Sequence, residues 1–85
     1  MTTTTILGVL LRKRTITSPE FQAVISKHGC IIKTRIGVHN TSEGVCLPEG
    51  VILLDLIGTP EEKQALENDL RNIDGAEIQK MVFEY

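Results

Sequence analysis

A chain of 85 residues, 41% hydrophobic and 24% charged, has the composition of an ordinary globule rather than a disordered or membrane-embedded protein. One domain is expected over residues 1–85, and a chain this short buries only about 60–65% of its unfolded surface, so its own core is modest. A formal charge of −2 supplies no basic field for a phosphate backbone, and no direct nucleic-acid binding is expected.

No apolar run approaches the ~18–20 residues needed to cross a bilayer, so no membrane contact is expected either. Residues 6–11 are too short for a signal-peptide core, and Arg12-Lys13-Arg14 follows that stretch instead of preceding it. The expected location is the cytoplasm. Cys30 and Cys46 lack CxxC spacing and are expected there as free thiols.

The polar, β-branched Met1-Thr2-Thr3-Thr4-Thr5 is a lead-in or the start of a strand. Residues 6–11, Ile-Leu-Gly-Val-Leu-Leu, are apolar at odd and even positions alike, the pattern of a strand buried on both faces. Thr17-Ser18-Pro19-Glu20 predicts a helix start, with Ser18 as cap and Pro19 in the first turn. Phe21, Val24, Ile25 and His28 form one helical stripe, and Gly29 is expected to end it in the left-handed conformation.

A second strand is predicted over residues 30–39, with Cys30, Ile32, Thr34, Ile36 and Val38 on one face and Lys33, Arg35 and His39 on the other. A loop of about ten residues, 40–49, follows. Residues 50–57 are a third strand, again apolar on both faces. Thr59-Pro60-Glu61-Glu62 is a capping box that starts a second helix. Ala65, Leu66, Leu70 and Ile73 give its buried stripe, Asp74-Gly75 ends it, and residues 76–85 form the last strand.

This order is that of an α+β, ferredoxin-like β-α-β-β-α-β fold: a four-stranded antiparallel sheet with two helices on one face. Strands one and three are then central and strands two and four are edges. The charge pattern agrees, because Lys33, Arg35, Glu77, Lys80 and Glu84 fall on the edge strands. One sheet face takes the helices and nothing is left to cover the other. A row drawn from Leu7, Val9 and Leu11, or from Ile6 and Leu10, would meet water there. A homodimer or higher oligomer through that face or an edge strand is expected.

Arg35-Ile36-Gly37-Val38, Gly50-Val51-Ile52-Leu53-Leu54-Asp55 and the Ile73-Asp74-Gly75-Ala76 turn resemble the small ACT-like regulators of the iron-only hydrogenase system of anaerobic bacteria. The resemblance covers nearly the whole chain and implies an oligomeric ferredoxin-like fold with a role in regulation, including of transcription. ACT domains proper bind amino acids beside an Asp-x-x-Gly-like turn after the first strand. Arg14-Thr15-Ile16-Thr17-Ser18-Pro19 stands there in this chain, without a glycine, so that mode is not expected. The regulatory domain of nickel-responsive repressors is similar in plan and carries His and Cys ligands around its second and third strands. His39 and Cys46 supply half of such a set.

Arg35, Gly37, His39 and Asn40 form the candidate ligand locus. A guanidinium grips a carboxylate or phosphate bidentately, and a strand glycine admits close backbone approach. The plainer reading is an edge-strand charge and a β-bulge at Gly37. His28, Cys30, His39 and Cys46 are the soft-metal candidates, but their spacing matches no standard ligand set, and neither a metal nor a cofactor is expected. Buried thiols and partly exposed histidines are expected instead.

Glu61, Glu62, Glu67 and Asp69 are read as the solvated face of a helix, and Arg12-Lys13-Arg14 as a solvated strand end. The central strands carry no aromatics on which RNA bases could stack. No catalytic arrangement, P-loop or dinucleotide fingerprint is present. The expected function is a non-enzymatic, oligomeric regulatory domain that senses a small-molecule effector or a partner protein. The alternatives are a metal-sensing module using His39 and Cys46, or an assembly domain without a ligand.

Overall fold

The structure is a computed structural model that describes the backbone of residues 2–12, 14–42 and 45–85, and the side chains within them except those of residues 14–16, 18, 38–42 and 45–49. Its elements run β1 (Thr3–Leu11), α1 (Arg14–Lys27), a 3-10 turn (Gly29–Ile31), β2 (Ile32–Ser42), β3 (Val45–Leu56), α2 (Pro60–Arg71) and β4 (Ala76–Glu84). The sheet order is β2-β3-β1-β4 with every neighbour antiparallel. The apolar strands are therefore the central ones, as their sequences require, and the fold is the ferredoxin-like α+β plan.

Burial alternates along β1. Thr5, Leu7, Val9 and Leu11 are buried, while Ile6, Gly8 and Leu10 are half-buried. The odd set faces the helices. There Leu7, Val9 and Leu11 meet Leu54 and Leu56 of β3, Phe21 of α1, Leu66 and Leu70 of α2, and Ile31, Ile73 and Ile78. Val24, Ile25, Ile32, Ile52 and Ala76 pack against this core from its margin.

The second helix starts as its sequence predicts. Thr59 Oγ1 accepts from the Glu62 N–H at 3.1 Å, Glu62 Oε1 accepts from the Thr59 N–H at 2.9 Å, and Pro60 opens the first turn. These bonds to Thr59, backbone first, hold the Glu62 carboxyl below its ordinary range. Gly75 ends the segment at φ +86°, where a Cβ would lie 3.1 Å from Thr17 Cγ2. Ala65, expected in the buried stripe, is exposed.

The first helix departs from expectation at both ends. It begins at Arg14, and Pro19 lies inside it. Thr17 is buried with its hydroxyl donating to the Arg12 carbonyl at 3.2 Å, so an anchor to the end of β1 extends the helix ahead of the proline. At the other end Gly29 is not left-handed. The positive-φ glycines among the described residues are Gly58 and Gly75, and Gly29 opens the 3-10 turn.

That turn takes Cys30 out of the expected strand and leaves it exposed, not buried. Of the predicted loop over 40–49, the described residues 40–42 and 45–49 lie instead in β2 and β3, which pair as far as Ser42 and Val45. Bulges lie between Ile32 and Thr34 and between His39 and Thr41, whereas Gly37 pairs regularly with Ile52, so the expected bulge at Gly37 is not formed. The first bulge reverses the alternation. Ile32, opposite buried Leu56, faces the helices, while Thr34 and Ile36, opposite Asp55 and Leu53, face away.

Candidate functional site

The face of the sheet turned from the helices is built by the pleat. Register aligns Ile6 with Asp55 and Met81, Gly8 with Leu53 and Gln79, and Leu10 with Val51 and Glu77. Ile36 of β2 lies beside Leu53 and Phe83 of β4 beside Thr4. Ile36, Met81 and Phe83 are 52%, 49% and 52% exposed, so this apolar surface is open at both edges.

Gly8 leaves a dip of about 270 Å³ lined with Leu10, Val51, Glu77 and Gln79. The rim is polar. Arg12 donates to Glu77 at 2.7 Å, Gln79 donates to Glu77 at 3.2 Å, and the Tyr85 hydroxyl bonds Thr4 Oγ1 at 2.9 Å. The Glu77 carboxyl is held below its ordinary range, chiefly by the bond from Arg12. The face is thus mixed: an apolar row interrupted on central β3 by the half-buried Asp55, which pairs with Ile6 and Thr34, and bordered by these polar groups.

The locus chosen from sequence is only partly brought together. Arg35 is exposed on the helix side of the β2 edge, donates to Gln22 Oε1 at 3.2 Å, and lies 5.5 Å over the Phe21 ring. That is a cation–π contact with a core side chain, which ties the edge strand to α1. Gly37 lies two residues on, on the same side of β2. Nothing comes within 4 Å of the position a Cβ would occupy, so no close backbone approach depends on it. The side chains of His39 and Asn40 lie outside the described residues, as does that of Cys46. The backbone pairs His39 with Gly50 and Cys46 with Thr41 on one hairpin.

His28 Nε2 lies 2.7 Å from Asp69 Oδ2, with Lys27 Nζ 3.2 Å from the same oxygen. This joins the end of α1 to α2 and holds the Asp69 carboxyl below its ordinary range, the bond to His28 contributing most. Cys30 and His28 line one cleft with Glu62, but among the described residues no group of three or more His, Cys, Asp or Glu could hold a metal ion.

Glu67 is the residue that pattern reading missed. It is 7% exposed, not solvated, and takes bonds from Arg71 Nε at 2.9 Å and Lys80 Nζ at 3.0 Å. The Lys80 bond contributes most to holding its carboxyl below the ordinary range. The available signal was spacing: Glu67 flanks the Leu66/Leu70 stripe and sits four residues before Arg71.

No protein-family model and no curated protein matches the chain. Solved structures do. An uncharacterized protein of Thermotoga maritima superposes over 98% of this chain and 100% of its own, with a TM-score of 0.81 at 18% identity. CPII, a nitrogen regulatory PII-like protein of Thiomonas intermedia K12 bound to ADP, AMP and bicarbonate, superposes over 99% of this chain and 96% of its own, with a TM-score of 0.58 at 10% identity. A formyltetrahydrofolate deformylase of Pseudomonas putida KT2440 matches 92% of this chain but 28% of its own, with a TM-score of 0.56 at 11% identity. At these identities the likeness is one of fold, and no matching family model stands behind the resemblance to hydrogenase-system regulators. Among the described residues no helix is long and apolar enough to cross a membrane.

Proposed function

We propose that this chain is a non-enzymatic regulatory domain that assembles with copies of itself through the uncovered sheet face and responds to a small ligand or partner protein. The observation that carries the proposal is the row Ile6, Leu10, Val51, Leu53, Ile36, Met81 and Phe83, left without a covering layer. A second copy related by a two-fold axis would set the same row against itself, as an isologous contact does. The PII-like neighbour lends support of a weaker kind: the same plan serves there in a nitrogen regulatory protein solved with nucleotides.

Sedimentation equilibrium tests the assembly. The expected mass is a multiple of the 9.4 kDa chain at micromolar concentration, falling toward a single chain for Met81→Glu with unchanged circular dichroism. A wild-type protein that stays at the mass of one chain throughout that range removes the proposal. Thermal-shift titration with amino acids, nucleotides and metals tests responsiveness, and a uniformly flat response would leave an assembly domain without an effector.

A further inference from the structure

We propose that the cleft between α2 and the β1–β4 pair is a binding site for a small monoanion with an apolar body, in its simplest form a monocarboxylate. The cleft encloses about 310 Å³, at the lower end of the size of small-molecule pockets. Its floor is apolar, formed by Leu7 and Leu56 with Val82 and Pro60 at the sides. Its charges are Lys63, Lys80, Glu67 and Glu84.

These charges are not equivalent. Lys80 is committed to Glu67, which Arg71 also grips, so two cations serve one buried carboxylate. Lys63 is half-buried and forms no ion pair among the described residues. Its Nζ donates to Thr5 Oγ1 at 3.3 Å, a hydroxyl on a residue only 6% exposed. An ammonium has three protons to donate, and the Thr5 hydroxyl keeps its own proton while accepting from Lys63. A carboxylate beside this pair receives one charge-assisted bond from Lys63 and one hydroxyl bond from Thr5, with its hydrocarbon body over Leu7, Leu56 and Val82.

A phosphate dianion fits less well. The second ammonium is already taken, and Glu84 adds a negative charge to the cleft. The site lies on the helix side of the sheet, opposite the proposed assembly surface. It rests on the regulatory reading only for the use made of binding, not for the binding itself.

Amide NMR shifts on the intact chain, titrated with hexanoate, hexanol and hexylammonium, test the site. Hexanoate is expected to move the signals of Thr5, Lys63, Lys80 and Val82 and to bind more tightly than either control. Lys63→Met is expected to weaken hexanoate about tenfold, and Lys63→Arg to retain it. Equal binding by wild type and Lys63→Met overturns the proposal. So do shifts confined to Gly8, Leu10 and Val51, or no shifts at all. Absence of binding in a chain that still self-associates removes this site and leaves the assembly standing; a monomer that binds hexanoate does the reverse.

Discussion

Leu53 and Leu54 are adjacent on β3 and chemically identical, yet they belong to different environments. Leu54 is wholly enclosed by the helix-side core. Leu53 lies half-buried between Gly8 and Ile36 on the uncovered face. The same contrast separates Leu7 from Ile6 and Val9 from Leu10. What it teaches is that this sheet carries more apolar surface than one copy of the chain can use. On the inner face burial is supplied by α1 and α2. On the outer face the proposed assembly would supply it from a second copy, so the two faces should then answer differently to protein concentration.

The largest expected effect exploits that pair. Leu54→Ala removes side-chain volume from a closed core and should cost about 2–5 kcal/mol at every protein concentration. Leu53→Ala should cost far less in a dilute sample, and its cost should grow as concentration rises and a second copy buries the site. Urea unfolding of both variants at two concentrations a hundredfold apart measures this. Equal and concentration-independent losses would mean that the outer face takes no part in assembly.

Two glycines draw the comparison more finely. Gly58, between β3 and α2, has φ +107°, and a Cβ there would lie 2.9 Å from Ile31 Cγ2 and 3.1 Å from Glu62 Oε1. Gly58→Ala combines backbone strain with a clash against a core side chain, and should destabilise by about 1–3 kcal/mol. Gly8 lies in the outer-face dip, where an added Cβ would meet Leu53 Cδ2 at an ordinary 3.7 Å. Gly8→Ala should leave the unfolding of a single chain nearly unchanged and alter the association constant. A large loss of single-chain stability in Gly8→Ala would show that the dip is a packing requirement of the fold rather than part of a contact surface.

The sheet plan was legible because residues 6–11 of β1 and 50–54 of β3 are apolar on both faces while most strand charges fall on β2 and β4, and because Thr59–Glu62 and Gly75 punctuate the second half. What failed to read was set by contacts remote in sequence. Pro19 marks a helix start only if nothing anchors the residues before it, and Thr17 is anchored to Arg12. Residues 40–49 lack an apolar alternation, yet residues 40–42 and 45–49 belong to β2 and β3, where Thr41 pairs with Cys46 and Ser42 with Val45. Alternation could not separate the faces of β1, since Ile6 and Leu10 are as apolar as Leu7 and Leu11. Of the candidate site, Arg35 was picked for its charge, but its guanidinium is engaged with Gln22 and Phe21. Glu67 was set aside as solvent-facing because its burial depends on Lys80, in an element that follows it.

Glu67 and Glu77 carry the smallest and most selective prediction, one carboxylate for each face. Both are depressed below the ordinary glutamate value of 4.5: Glu67 first by its bond from Lys80, Glu77 first by its bond from Arg12. A depressed folded-state pKa contributes stability that is present above the unfolded value and lost as pH falls through the folded one. The window therefore begins near pH 4.5 and extends downward. Glu67 is enclosed and held by two cations, whereas Glu77 and Arg12 have side chains 48% and 52% exposed, where an ion pair is largely screened by water. Glu67→Gln should lower stability at neutral pH and flatten the acid limb, so that its curve meets the wild-type curve below the folded pKa. Glu77→Gln should follow the wild type throughout. Chemical unfolding between neutral pH and about pH 3 separates the two cases. Parallel curves for Glu67→Gln and wild type across the acid limb would show that its ion pairs are formed equally in the unfolded chain, and that the difference between the faces lies in apolar burial alone.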